Sequence, residues 1–157
     1  SKLISPGMRV GAAMVKNPAL MRKLVVGKQS TDLHTPTLSQ AIVAEYLARG
    51  LLPAHMAKIL AMYREQLALM QRELAALPVR VYPTEGGLFI WCEADARVNA
   101  LELLQTAVQN RVAFVPGTHF YAHGGHLNTL RLNFSNSTPE QIVQGVKALH
   151  KSIQEVR

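Results

Sequence analysis

The chain has 157 residues, the size of one ordinary domain, and 48% of them are hydrophobic against 17% charged. That balance supplies a core and excludes a disordered polymer. No apolar run approaches the roughly 18 to 20 residues of a bilayer-crossing helix, so a membrane span is excluded too.

The single cysteine, Cys92, rules out an internal disulfide framework and fits a reducing compartment. Seventeen Lys and Arg against ten Asp and Glu give a net charge of +7. The excess is local. Lys2, Arg9, Lys16, Arg22, Lys23 and Lys28 precede the first acid, Asp32, and the rest of the chain is nearly neutral. A solvated basic face explains such a run without any partner. A nucleic-acid surface interleaves aromatics with its bases, and the first aromatic residue here is Tyr46. Two or three bases suffice for a phosphate-bearing small ligand, which is the preferred reading.

Ser5-Pro6-Gly7 is turn chemistry, and Arg9 to Val15 reads as a short buried strand. Asn17-Pro18 predicts a helix start, with Asn capping the free amides and Pro supplying the first helical φ. Leu20, Met21 and Leu24 give that helix one buried face. Thr35-Pro36 repeats the start signal, and Ile42, Val43, Tyr46 and Leu47 keep helical spacing until Gly50. Pro53 opens the longest element. In it Met56, Ile59, Leu60, Tyr63, Leu67, Met70, Leu74 and Leu77 recur at three- and four-residue steps. About 24 residues at 1.5 Å rise make roughly 36 Å, a length suited to a spine joining two domains.

After Pro78 the pattern shortens. Val79 to Tyr82 and Leu88 to Cys92 predict strands around a turn at Pro83 to Gly87. Ala100 to Asn110 predicts a helix, and Val112 to Val115 a strand stopped by Pro116-Gly117. Thr129 to Phe134 alternates with period two, as a half-buried strand does. Thr138-Pro139-Glu140-Gln141 is a capping box that launches a last helix through Ile142, Val146, Leu149 and Ile153. The fold class is α/β, a helix-rich first half followed by a small α+β unit from about residue 53.

Three groups of residues can carry chemistry. Lys2 precedes a Pro-Gly turn and Arg9 follows it, which can set an amine and a guanidinium on one pocket wall. A lysine of lowered pKa forms Schiff bases, and an arginine holds a phosphate with two parallel bonds. Two surface bases explain the spacing equally well. Arg131 lies in a Leu-Arg-Leu strand, facing either solvent or a cleft where it would fork onto a carboxylate. His119, His123 and His126 fall within eight residues, but the glycines among them deny helical ligand spacing and no acid joins them. No metal site is assigned there, and the segment reads as a flexible loop. Cys92 reads as a buried, inert thiol. No nucleophile elbow or phosphate-binding glycine loop occurs.

These motifs join up. Ser1-Lys2-Leu3-Ile4-Ser5-Pro6-Gly7-Met8-Arg9-Val10-Gly11 resembles the lysine segment of fold-type-I, pyridoxal-phosphate-dependent class I/II aminotransferases. In that family the segment runs Ser-Lys, a few residues, Pro-Gly, one residue, Arg, one residue, Gly. Gly86 to Trp91, Val112 to Gly117 and Asn128 to Ser135 resemble the landmarks of its small domain, in the same order. The branch it looks most like holds the 2-aminoadipate, kynurenine and aromatic or branched-chain aminotransferases.

The resemblance implies that residues 1–52 are the tail of the large cofactor-binding domain and 53–157 the linking helix and small domain. It implies pyridoxal 5′-phosphate as cofactor and α-amino acids and 2-oxo acids as substrates. Lys2 would be the internal-aldimine lysine and proton carrier, Arg9 would bind the cofactor phosphate, and Arg131 would clamp the substrate carboxylate. The family's pyridinium-pairing aspartate, ring-stacking aromatic and a further phosphate-binding serine lie upstream of the lysine. Since the chain opens at Ser1 with no initiator Met, it is expected to be the C-terminal part of a cytoplasmic, homodimeric enzyme, inactive without its N-terminal half. No nucleic acid or membrane partner is expected. The alternative is the aminotransferase-like effector domain of a transcription regulator carrying a winged helix upstream.

Overall fold

A computed structural model describes residues 2–156. Ser1, which opens the Ser-Lys pattern, and Arg157 lie outside the described residues. The chain divides into two compact units, the first ending at Ile59 and the second beginning at Leu60.

The first unit is built on turn and capping chemistry. Pro6–Met8 forms a 3-10 turn that leaves Arg9 in the left-handed region at φ 54°. The expected strand from Arg9 to Val15 does not form, and those residues have no regular structure. An extended segment needs a neighbour for its amides and carbonyls, and the four described strands all lie between Val79 and Asn133. Helix α1 (Pro18–Thr31) starts where predicted, with Asn17 Oδ1 accepting from Ala19 N at 2.9 Å and Leu20 N at 3.1 Å. Its expected buried face is absent: Leu20, Met21 and Leu24 are all exposed. The i, i+1, i+4, i+5 spacing does set Leu20, Met21, Leu24 and Val25 along one face, and that face is left exposed. Helix α2 (Thr37–Ala48) begins one residue later than its signal suggests, because Pro36 is the cap and not the first helical residue. Gln40 closes the entry by donating from Nε2 to Thr35 O at 2.7 Å. Gly50, at φ +66°, ends the helix while Leu51 N reaches back to Tyr46 O. Only a residue without Cβ takes that conformation cheaply.

Helix α3 (Leu52–Leu74) is continuous for 23 residues and stops three residues short of the predicted end. Its second-unit portion buries Gln66, Met70 and Leu74. The second unit adds β1 (Val79–Val81), β2 (Phe89–Ala94), α4 (Ala100–Gln109), β3 (Val115–Pro116), β4 (Thr129–Asn133) and α5 (Pro139–Glu155). The strands make one antiparallel sheet in the order β1-β2-β4-β3. Among the described residues this is a mixed α/β fold of five α-helices and a four-stranded sheet. β2 alternates strictly, burying Ile90, Cys92 and Ala94. They join Leu130 and Leu132 of β4, Leu103 of α4, Ile142 and Leu149 of α5, and Phe134 in one core. α5 is held at its start by the predicted capping box, Thr138 N to Gln141 Oε1 at 2.8 Å and Gln141 N to Thr138 Oγ1 at 3.3 Å.

The strand expected at Val112 to Val115 is confined to Val115–Pro116. The reason is local: Arg111 turns left-handed at φ 64°, and the Val112 amide is used by Ala107 O at the end of α4. Pro116 has no amide to offer a further strand, which an edge position tolerates. The next residue, Gly117, is fixed by space. A Cβ there would fall on Thr129 Oγ1 and lie 2.7 Å from Trp91 Cζ2. Gly117→Ala is therefore expected to lower stability by about 1–3 kcal/mol, the usual cost of overpacking. Urea denaturation of the two proteins checks it through a shifted midpoint at unchanged slope.

Candidate active site

Backbone pairing sets what the free face of the sheet presents. Trp91 lies opposite Arg131, and Val115 opposite Arg131 on the other side. Directly paired residues share a face. With Leu130 and Leu132 turned into the core, Phe89, Trp91, Glu93 and Arg131 therefore all point the other way.

Arg131 is half-buried, not solvated. Its guanidinium carbon stands 4.1 Å from the centroid of Phe89 and 4.7 Å from that of Phe120. Arg131 Nε is buried and has no hydrogen-bond partner among the described residues, and no ion pair to the side chain occurs among them. Contact with an aromatic face is worth about 0.5–1 kcal/mol at exposed sites and about 2 where water is excluded. The rings hold the charge without neutralising it. Phe120 is presented by a 3-10 turn at Gly117–Phe120, where the sequence reads as a flexible loop. Of the three histidines, His126 stacks on Tyr121 with centroids 4.0 Å apart, and His119 and His123 are exposed. Among the described residues no cluster of His, Cys, Asp and Glu could hold a metal ion.

Further along the same face Tyr82 Oη donates to Glu93 Oε2 at 2.7 Å. That bond holds the Glu93 carboxyl below its ordinary value, Asn128 and the Arg80 charge adding to it, and it holds the Tyr82 hydroxyl above its own. Cys92 is fully buried, and burial pushes its thiol up to about 12.

In the first unit Lys2 lines a cleft of about 400 Å³, with Ser5, Met8 and Val10 beside it and Val43 and Leu47 of α2 on its wall. Most of the lining is apolar. Arg9 is exposed, and its Nη1 makes a long 3.4 Å bond to Pro6 O. A non-glycine residue at positive φ is a strained position of the kind found at binding turns. Lys2 and Arg9 thus belong to the first unit and Arg131 to the second. Sequence reasoning found these three but missed Phe89, Trp91 and Phe120. The alternation of β2 could have given Phe89 and Trp91, whereas Phe120 depends on the β3–β4 register.

Residues 2–149 match the family model for aminotransferase class I and II. The chain belongs to that family. It is 39% identical to a 2-aminoadipate transaminase of Thermus thermophilus over 98% of this chain and 39% of the relative. It is 38% identical to an aromatic-amino-acid aminotransferase of Thermococcus litoralis over 99% of this chain and 38% of the relative. The crystal structure of a Thermus thermophilus alpha-aminoadipate aminotransferase, complexed with N-(5'-phosphopyridoxyl)-L-leucine, superposes with a TM-score of 0.91 at 38% identity. That match covers 99% of this chain and 40% of the other. An HTH-type transcriptional regulator of Bacillus subtilis is also similar, 27% identical over 99% of this chain and 32% of the regulator. The chain spans about two fifths of the length of the aminotransferases it matches. Among the described residues no helix is long and apolar enough to cross a membrane.

The Tyr82–Glu93 bond gives a pH prediction with a definite sign. A carboxyl held low stabilises the fold above its unfolded value, about 4.3, and that contribution is lost as pH falls through the folded value. Tyr82→Phe is expected to raise the pKa of Glu93 and to destabilise the protein at neutral pH, the gap to wild type narrowing in acid. Carboxyl-carbon NMR titration reads the first effect, and denaturation at neutral and acid pH reads the second.

Proposed function

We propose that this chain is the C-terminal part of a pyridoxal-phosphate-dependent aminotransferase, which moves an amino group between an α-amino acid and a 2-oxo acid. Residues 1–52 are the tail of the large domain on this reading, and 53–157 the linking helix and small domain. The observation that carries it is Arg131, a half-buried guanidinium with no acid partner among the described residues, in a chain of this family.

The donor set of the first unit suits the cofactor. Lys2 offers an amine at a cleft within the usual volume of small-molecule sites, Ser5 a hydroxyl, and Arg9 a guanidinium for a phosphate. Pyridoxal phosphate, when bound, supplies the electron sink for carbanion chemistry at the substrate Cα. The protein supplies the rest. Lys2 would hold the carbonyl end of the cofactor and, once the substrate amine has displaced it, its free amine would move a proton to or from the substrate Cα. Arg9 balances the phosphate charge. Arg131 forks onto the substrate carboxylate and so fixes which bond at Cα is presented for cleavage.

With about two fifths of a relative's length, the chain leaves the remainder of the site to upstream sequence. The intact protein is proposed to be a cytoplasmic homodimer, and the isolated chain to be inactive. A second reading, the effector domain of a winged-helix regulator, is favoured by the likeness to HTH-type transcriptional regulators such as that of Bacillus subtilis. A DNA-binding domain in the intact reading frame decides for it.

Borohydride reduction with pyridoxal phosphate, followed by peptide mapping, tests the enzyme reading. In the intact parent the label is expected at Lys2 and is lost in Lys2→Ala. The isolated chain is expected to label poorly and to show little visible absorbance until the upstream half is supplied. Label of the parent at other lysines, with Lys2 unmodified, overturns the assignment.

A further inference from the structure

The carboxylate reading gives Arg131 a task but does not say what aims it. Strand position alone leaves an arginine several freely turning bonds, and a guanidinium that must meet a carboxylate edge-on gains from having its plane fixed in advance. The usual device is a second-layer acid, and among the described residues Arg131 has none. Two rings stand against it in place of one, Phe89 from the neighbouring strand and Phe120 from the turn after β3.

We propose that Phe120 is a positioning residue for Arg131. Its ring fixes the guanidinium plane, shields the Nε side and leaves the Nη edge for a carboxylate. The inference rests on the carboxylate-binding reading of Arg131.

Five observations carry it. The Arg131 guanidinium carbon lies 4.7 Å from the Phe120 centroid. Arg131 Nε is buried without a partner, so a shielded nitrogen is already part of the arrangement. Phe120 is 51% exposed, which is a poor use of a large ring if packing were its purpose. The ring is also braced: Trp91 meets it edge-on at 5.4 Å, Tyr121 meets Trp91 at 6.2 Å, and His126 stacks on Tyr121 at 4.0 Å. Gly117, locked between Thr129 and Trp91, fixes where the turn bearing Phe120 begins. A row of rings thus terminates on the guanidinium.

The test uses the intact parent protein, loaded with pyridoxal phosphate so that the rest of the site is present, and labelled at arginine side-chain nitrogens. NMR reads hydrogen exchange at Arg131 Nε and rotation about the Nε–Cζ bond. It is then followed as 4-methyl-2-oxopentanoate, a simple 2-oxo acid, is titrated in. Wild type is expected to show a protected Nε–H and slow rotation, and the probe is expected to shift the Arg131 signals. Phe120→Leu keeps an apolar side chain at a half-exposed position. It is expected to speed both exchange and rotation and to weaken probe binding by about threefold or more, the scale of one ring–cation contact. Phe120→Tyr retains a ring face and is expected to stay near wild type, which a general packing defect would not predict. Backbone spectra of all variants check that the fold is kept.

Unchanged exchange, rotation and binding in Phe120→Leu overturn the proposal while leaving the carboxylate reading in place. Arg131→Lys separates the two failures: if the probe binds that variant as well as wild type, the carboxylate reading falls and this proposal with it. Loss of binding in Arg131→Lys together with the Phe120→Leu pattern above supports both.

Discussion

The pairing of β2 with β4, Trp91 opposite Arg131 and Ile90 opposite Leu132, is the constraint on which the second unit depends. Side chains alternate across a strand, so this one register decides both faces at once. It sends Ile90, Cys92, Leu130 and Leu132 into the core with α4 and α5, and sends Phe89, Trp91 and Arg131 away from it. A slip of one residue would bury the arginine and expose two leucines, at a cost comparable with the roughly 5–15 kcal/mol by which a domain is stable. The core and the candidate carboxylate site therefore share one determinant. Gly117 reinforces it from outside the sheet, since the close approach of its backbone to Thr129 and Trp91 ties the turn after β3 to both central strands.

The first unit lacks such a constraint. No described residue before Leu60 is buried, and Leu20, Leu24, Val26, Leu38 and Ile42 are exposed. Its helices are defined by their ends, through Asn17, Gln40 and Gly50, more than by a face. Isolated helices of this length are marginal unless an apolar face is buried. That is consistent with a chain spanning two fifths of its relatives' length. The basic excess concentrated before Asp32 lies in the same unit, on residues that are solvated or, in Lys2, beside a cleft.

How much could be read from the sequence follows from how local each determinant is. The capping box at Thr138, the Asn17-Pro18 start and the alternation of β4 were legible because a few adjacent residues decide them. The strand expected at Arg9 to Val15 was not, because its composition suits a strand and only the presence of a neighbour makes one. Val112 to Val115 failed for a related reason: the end of α4 competes for the Val112 amide, and the competition is visible only in three dimensions. At the site, Lys2, Arg9 and Arg131 were legible through motif spacing, yet spacing could not say that Arg131 would lie against two rings. Phe89 follows from β2 alternation, but Phe120 reaches the arginine through a turn whose geometry depends on Gly117 packing against Thr129.

The choice of rings over an acid beside Arg131 has an electrostatic logic under the proposed function. An internal carboxylate would fix the guanidinium equally well, but it would occupy the same Nη edge and partly cancel the charge that a substrate carboxylate must meet. Breaking such a half-buried pair to admit substrate costs energy that is recovered only if the new geometry is better. Aromatic faces attract the cation through their quadrupoles and take up none of its in-plane hydrogen bonds. The Nη donors thus keep their capacity, and the charge is retained beside low-polarity surface where its attraction for an anion is screened less than in water. Glu93, the acid of the same face of β2, lies two positions along the strand from Trp91 and is engaged by Tyr82. That bond keeps the one carboxylate of the strand directed at a hydroxyl and leaves the arginine to the rings.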